Sequence, residues 1–157
     1  MTVSSGADPL RAIMILIVDD FTDGAEVLCR LLGRRGYPCE LAASGIEGLV
    51  KIRAHPPEQP LLVVLDEMMP GMGGVDVLRQ IRSDPAISHT TVILYTAAFD
   101  EAKRNTAITL GVAAWLLKGG TQGMGVDQVL DTITSWYERA GGVRAVADTS
   151  SEQNTNS

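Results

Sequence analysis

The chain has no excess of positive charge: 13 lysines and arginines face 19 aspartates and glutamates, for a net charge of −6. Nucleic-acid surfaces need clustered basic residues, so direct DNA binding is not expected. No apolar run approaches the ~20 residues that cross a bilayer, which argues against membrane insertion. The opening stretch from Met1 to Ala12 is polar, holds a Gly and a Pro, and lacks the apolar core of a secretory signal. Only two cysteines occur, Cys29 and Cys39, without a C-x-x-C spacing. They read as ordinary thiols of a reducing compartment, and the cytoplasm is the expected location. His55 and His89 have no metal-ligand partner at helical spacing and read as surface residues. The glycines at 71, 73 and 74 lack a Walker lysine and read as a turn. Met68, Met69 and Met72 could suggest a soft-metal site, but hard carboxylates lie beside them, and loop packing fits better. No second domain, repeat or coiled coil is evident.

What is present is a strict alternation. At 157 residues, 45% hydrophobic and 20% charged, the chain can bury one full core. Four apolar runs, Ile13–Val18, Leu61–Leu65, Val92–Tyr95 and Ala114–Leu117, are rich in Val, Ile and Leu with no polar alternation. Such runs read as strands buried on both faces of a parallel sheet. Pro38 to Ala43 supplies a short further strand. Between them lie helical-period segments. Thr22 to Arg35 carries Leu28, Leu31 and Leu32 on one face, with Asp23 and Glu26 suggesting a cap and Gly36 an end. Ser44-Gly45-Ile46-Glu47 is a capping box opening a helix through Ala54, with Ile46, Leu49 and Val50 expected inward, and His55-Pro56-Pro57 stops it. Helices also follow from Val75 to about Arg82, from Asp100 to Leu110, and from Val126 to Tyr137, the last closing at Gly141-Gly142. The βα alternation predicts a flavodoxin-like, doubly wound five-stranded parallel sheet of order 2-1-3-4-5 with five helices. Residues 1–11 read as a flexible N-terminal segment, 12–142 as the domain, and 143–157 as a disordered tail with almost nothing to bury.

Each apolar run delivers a polar residue at its carboxyl end. The first ends on Asp19-Asp20, the second on Asp66, the third on Thr96 and the fourth on Lys118. Open parallel sheets bind ligands beyond the carboxyl ends of their strands. Three carboxylates, a hydroxyl and an ammonium brought together there suit a divalent cation and a phosphoryl group. Taken singly, each residue has a plainer reading as a turn, cap or surface residue; the four coincidences at matching strand ends argue for a joint site.

The segments Ile17-Val18-Asp19-Asp20, Leu65-Asp66-Glu67-Met68-Met69-Pro70-Gly71-Met72-Gly73-Gly74, Tyr95-Thr96-Ala97 and Leu116-Leu117-Lys118, at these spacings, resemble a receiver domain of two-component response regulators. The chain is similar to the single-domain chemotaxis type, over roughly residues 12–140. The resemblance implies that Asp66 accepts phosphate and that Mg²⁺ is held by Asp20, Asp66 and the Met68 backbone carbonyl, with Asp19 acting through water. It implies that Lys118 pairs with the transferred phosphoryl oxygens, that Thr96 hydrogen-bonds them, and that an aromatic three residues before the lysine follows Thr96 inward. That position holds Trp115, where the family usually has Tyr or Phe. The implied donor is a histidine kinase or histidine phosphotransfer protein. The implied output of a stand-alone receiver is binding to a downstream protein or onward transfer of phosphate in a phosphorelay, with no enzymatic activity beyond its own phosphorylation and dephosphorylation. Arg30, Arg34 and Arg35 either complement the dipole of the first helix or belong to a kinase-docking face.

Departures from the pattern sharpen the expectation. Lys118 is followed by Gly119-Gly120 rather than proline, and a cis bond to a non-proline residue costs ~2.5–4 kcal/mol, so a trans bond and a looser following loop are expected. The positions two residues after Asp66 and two after Thr96 are Met68 and Ala98, neither able to orient water, which predicts a long-lived phosphoryl group. A haloacid-dehalogenase-type phosphohydrolase would need an acid where Met68 stands. A flavin carrier would need a hydroxyl-rich loop where Asp19-Asp20-Phe21 stands. A receiver that binds partners without phosphorylation is the remaining alternative.

Overall fold

A computed structural model of the chain describes residues 14–97, 99–119 and 126–139, without the side chains of 126–129, 137 and 138. The elements run β1 (Met14–Val18), α1 (Thr22–Arg34), β2 (Cys39–Ala42), α2 (Gly45–Ala54), β3 (Leu61–Leu65), α3 (Gly74–Ser83), β4 (Thr91–Thr96), α4 (Glu101–Thr109), β5 (Ala114–Leu117) and α5 (Val126–Arg139). All pairings are parallel, and the strand order β2-β1-β3-β4-β5 is the expected doubly wound arrangement. The N-terminal segment 1–11, the tail 143–157, the helix stop at Gly141-Gly142, Ala98 and the loop after Gly119 lie outside the described residues. No helix among the described residues is long and apolar enough to cross a membrane.

Two cores flank the sheet. Leu16, Val18, Val63, Leu65, Val92 and Leu94 point to α2, α3 and α4, where Leu49, Ile52, Leu78, Ile81 and Ala107 meet them. Ile15, Ile17, Leu62, Val64 and Ile93 point to α1 and α5, meeting Leu28, Leu32, Leu130 and Ile133. The expectation of strands buried on both faces holds for β1, β3 and β4, the three central strands, whose residues after the first are almost all buried. β5 departs from it, with Leu117 exposed; β5 and β2 are the sheet edges, each paired with a neighbouring strand on one side only.

Several local expectations need correction. The α2 capping box forms as read: the Ser44 hydroxyl accepts from the Glu47 N–H at 3.1 Å, and Glu47 Oε1 accepts from the Ala43 N–H at 2.9 Å. Its inward face does not. Ile46 is 67% and Val50 59% exposed, while Gly45, Gly48, Leu49 and Ile52 are buried. Gly48 sits so close to the sheet that a Cβ there would come within 2.9 Å of Val18. Absence of a side chain, rather than presence of an apolar one, selects that face. The α1 start is as expected, but its cap differs. The helix begins at Thr22, which puts Asp23 inside the first turn, where it favours the dipole instead of capping. The N–H of Phe21 is taken by Asp19 Oδ1 at 2.9 Å.

The two cysteines are not separate thiols in this structure. Cys29 on α1 and Cys39 at the start of β2 are joined in a disulfide, with Cα atoms 5.5 Å apart. The reason is topological: α1 packs along β2 after the turn at Gly36, whose φ of +89° reverses the chain and brings the two residues opposite each other. No spacing motif records that proximity.

Candidate functional site

The carboxyl ends of β1, β3 and β5 converge on one pocket. Asp19 follows β1, and its backbone N–H is tied to the Ala42 carbonyl of β2 at 3.0 Å. Asp66 follows β3, and its N–H is tied to the Val18 carbonyl at 2.9 Å. Both carboxylates are 6% exposed, whereas Asp20 faces solvent. Carboxylate oxygens of Asp19, Asp20 and Asp66 all lie within 4.8 Å of one another. Lys118 enters from the end of β5. Its ammonium is 2.5 Å from Asp19 Oδ2 and 3.7 Å from Asp66 Oδ1, and it stands 5.4 Å from the centre of the Tyr95 ring. The Lys118 N–H donates to the Thr96 carbonyl at 2.8 Å, which holds the ends of β4 and β5 together. Thr96 is fully buried.

Asp66 is the odd member. Its Oδ1 is buried and has no hydrogen-bond partner among the described residues. Burial pushes its carboxyl up to about 6; the nearby Lys118 ammonium opposes this, and the Asp19 charge adds to the rise. An orphaned, hard oxygen beside two further carboxylates fits a small divalent cation, which favours oxygen ligands and one or two carboxylates. The residues present therefore suit Mg²⁺, with Asp19, Asp20 and Asp66 as the side chains that could hold it.

Met68 lies in the loop directly after Asp66 with its side chain 59% exposed. Trp115 packs partly buried against the α3–α4 core, opposite Leu94 in the strand register, and its indole N–H has no partner among the described residues. No cis peptide occurs among the described residues, so the Lys118–Gly119 bond is trans as expected, and Gly119 takes a left-handed φ of +52°. His55 and His89 precede β3 and β4 and so sit at the other end of the sheet from the pocket. Arg35 pairs with Asp131 of α5 at 2.7 Å.

Two residues that sequence reasoning missed brace the loop. Glu67 is buried, and its Oε1 accepts from the Val75 N–H at 2.7 Å, capping the start of α3. Its Oε2 pairs with Lys103 of α4 at 2.8 Å, and that partner raises the lysine's pKa. The partners lie 36 positions apart, and nothing in spacing or composition links them. Gly74 completes the brace: a Cβ there would meet the Asp66 carbonyl oxygen at 2.5 Å, so α3 can start this close only with glycine.

This sheet, with carboxylates and a lysine gathered at its carboxyl end, defines a CheY-like α/β fold with an acidic cation pocket. A model of the response regulator receiver domain matches residues 15–129, and the chain belongs to that family. Its members are two-component signal-transduction modules. The receiver of Methanospirillum hungatei described as CheY-like superposes with a TM-score of 0.69 at 25% identity, over 82% of this chain and 95% of that one. Chemotaxis protein CheY4 of Vibrio cholerae gives 0.68 at 23% identity over 79% and 98%, a likeness of fold. Among curated proteins, the transcriptional regulatory protein CpxR homolog of Haemophilus influenzae is 35% identical over 97 residues, 62% of this chain. The chain spans less than half the length of the curated relatives it matches, 40% in that case.

Proposed function

We propose that Asp66 accepts a phosphoryl group from the phosphohistidine of a histidine kinase or histidine phosphotransfer protein, and that the phosphorylated chain signals by binding another protein or by passing the phosphate on. The observation that carries the reading is the Asp66 carboxylate: buried, without a hydrogen-bond partner at Oδ1 among the described residues, and faced by Lys118 and two further acids. A carboxylate oxygen of Asp66 attacks phosphorus in line, the P–N bond to the histidine breaks, and an acyl phosphate forms. Mg²⁺, when bound, supplies charge neutralisation of the acid cluster and of the phosphoryl oxygens. Asp19 and Asp20 are the side chains proposed to hold it with Asp66, aided by the Met68 backbone carbonyl. Lys118 stabilises the charge that develops on the phosphoryl oxygens, and Thr96 donates its hydroxyl to one of them. Trp115, on the strand beside Thr96, carries the change toward the surface of β5. Transcription and DNA binding, named for the longer relatives, belong to those proteins; the acidic balance of this chain supports a protein rather than a nucleic-acid target.

Incubation with acetyl phosphate and Mg²⁺ should label the protein, and Asp66→Asn or EDTA should abolish the label. Undiminished acid-stable labelling of the Asn variant sinks the assignment. A folded wild-type protein that takes no label from acetyl phosphate or from any kinase would instead favour a phosphorylation-independent interaction module. The exposed thioether of Met68 cannot orient an attacking water. Phosphoprotein decay is therefore expected to be slow, and Met68→Asn should speed it several-fold; native decay within seconds would overturn this.

A further inference from the structure

We propose that Cys29 and Cys39 are a reversible dithiol–disulfide pair, a covalent modification site separate from Asp66 that locks α1 to the edge strand β2. The geometry is intramolecular and specific. The Cα atoms are 5.5 Å apart, within the range a disulfide requires. Both residues are half-buried against the α1–α5 core beside Leu31 and Leu41. A small thiol or disulfide can reach them, while a cysteine of a second protein is hindered, which favours ring closure over dimers. The exchange balances without a metal. One thiolate attacks a low-molecular-weight disulfide such as oxidised glutathione and releases one glutathione; the second then displaces the other, and two protein thiols become one protein disulfide.

The bridged elements both lead to the acid pocket. β2 ends at Ala42, whose carbonyl holds the Asp19 N–H, and α1 begins just after Phe21, whose N–H is held by Asp19 Oδ1. Oxidation therefore fastens the two segments on either side of Asp19. That the bond is reversible rather than permanent rests on the phosphoacceptor reading: a partner of a histidine kinase works among reducing thiols, where protein disulfides are transient.

The test uses the wild-type chain and two independent readouts. Folded, reduced protein is incubated with oxidised glutathione, then with excess reduced glutathione, and free thiols and intact mass are followed. Two thiols should vanish with the loss of two hydrogens and return on reduction. Amide exchange in β2 and the second half of α1 should slow roughly tenfold in the oxidised form, measured without phosphate or Mg²⁺. Thiols that stay titratable, separate glutathione adducts on each cysteine, or disulfide-linked dimers overturn the proposal. So does a bond in the folded protein that reduced glutathione cannot open. None of these outcomes depends on labelling at Asp66, so failure here and failure of the phosphoacceptor reading are distinguishable.

Discussion

The two ends of the sheet hold buried charge in opposite ways. At the amino end, Arg82 of α3 is partly buried, and burial lowers its pKa. Yet its guanidinium donates to four carbonyls, those of Ser88, Thr90, Leu110 and Gly111, at 2.6 to 3.2 Å. It clamps the segments that enter β4 and β5, and nothing is left for a ligand to satisfy. At the carboxyl end, two acids are buried together, one with an oxygen unpartnered among the described residues, and the nearest ammonium is shared. A satisfied buried charge is a structural device; an unsatisfied one marks where something must bind.

The sharpest way to break the contrast is Arg82→Ala. Four carbonyls, three of them part-buried, lose their donor, so urea unfolding should show a loss of about 2–4 kcal/mol with phosphorylation chemistry otherwise intact. A loss below half that range would mean that water replaces the guanidinium freely. Asp66→Asn should do the reverse. The Asp66 carboxyl lies above its ordinary 3.8, at about 6, so its contribution to stability is complete below about pH 4 and is lost as pH rises through about 6. Asparagine cannot ionise. The variant should thus be more stable than wild type above about pH 6, by on the order of 1–3 kcal/mol without Mg²⁺. The gap should close below about pH 4 or when Mg²⁺ is added. Equal stability across the whole pH range in EDTA would contradict the picture of a destabilised carboxylate. Glu67→Ala should cost about 1 kcal/mol by uncapping α3. Lys103→Ala should cost only a few tenths, because the lysine is half-exposed and Glu67 keeps the Val75 N–H. Thermal melts of the two variants separate these effects, and the reverse order would make the ion pair the more important half of the brace.

Much of this was legible in the sequence, for identifiable reasons. The strands through Val18, Leu65 and Thr96 are central and carry uninterrupted apolar runs, so both their identity and the convergence of Asp19, Asp66 and Lys118 could be read in advance. The Ser44–Glu47 box was legible because a cap is a local signal. The inward face of α2 was not, since its contact with the sheet is made through Gly48 and hydrophobic periodicity counts only side chains that exist. Glu67–Lys103 and Cys29–Cys39 depend on which elements lie side by side, and no local pattern encodes that. Trp115 was marked by position alone; that its indole N–H is unpartnered among the described residues emerges only once the core around it is packed.

The contact between Lys118 and Asp19 has a thermodynamic corollary. The ammonium of Lys118 is seated on one of the oxygens that a cation would claim. Lys118 is in effect a tethered competitor, present at a fixed and high local concentration that no dialysis can lower. Whatever the intrinsic affinity of the three carboxylates for a divalent ion, the apparent affinity is that value divided down by the cost of evicting the lysine. Neutralising Lys118 should therefore tighten metal binding while crippling phosphoryl acceptance. Loading a phosphoryl group, by giving the ammonium a better seat, should free the metal site and tighten it as well.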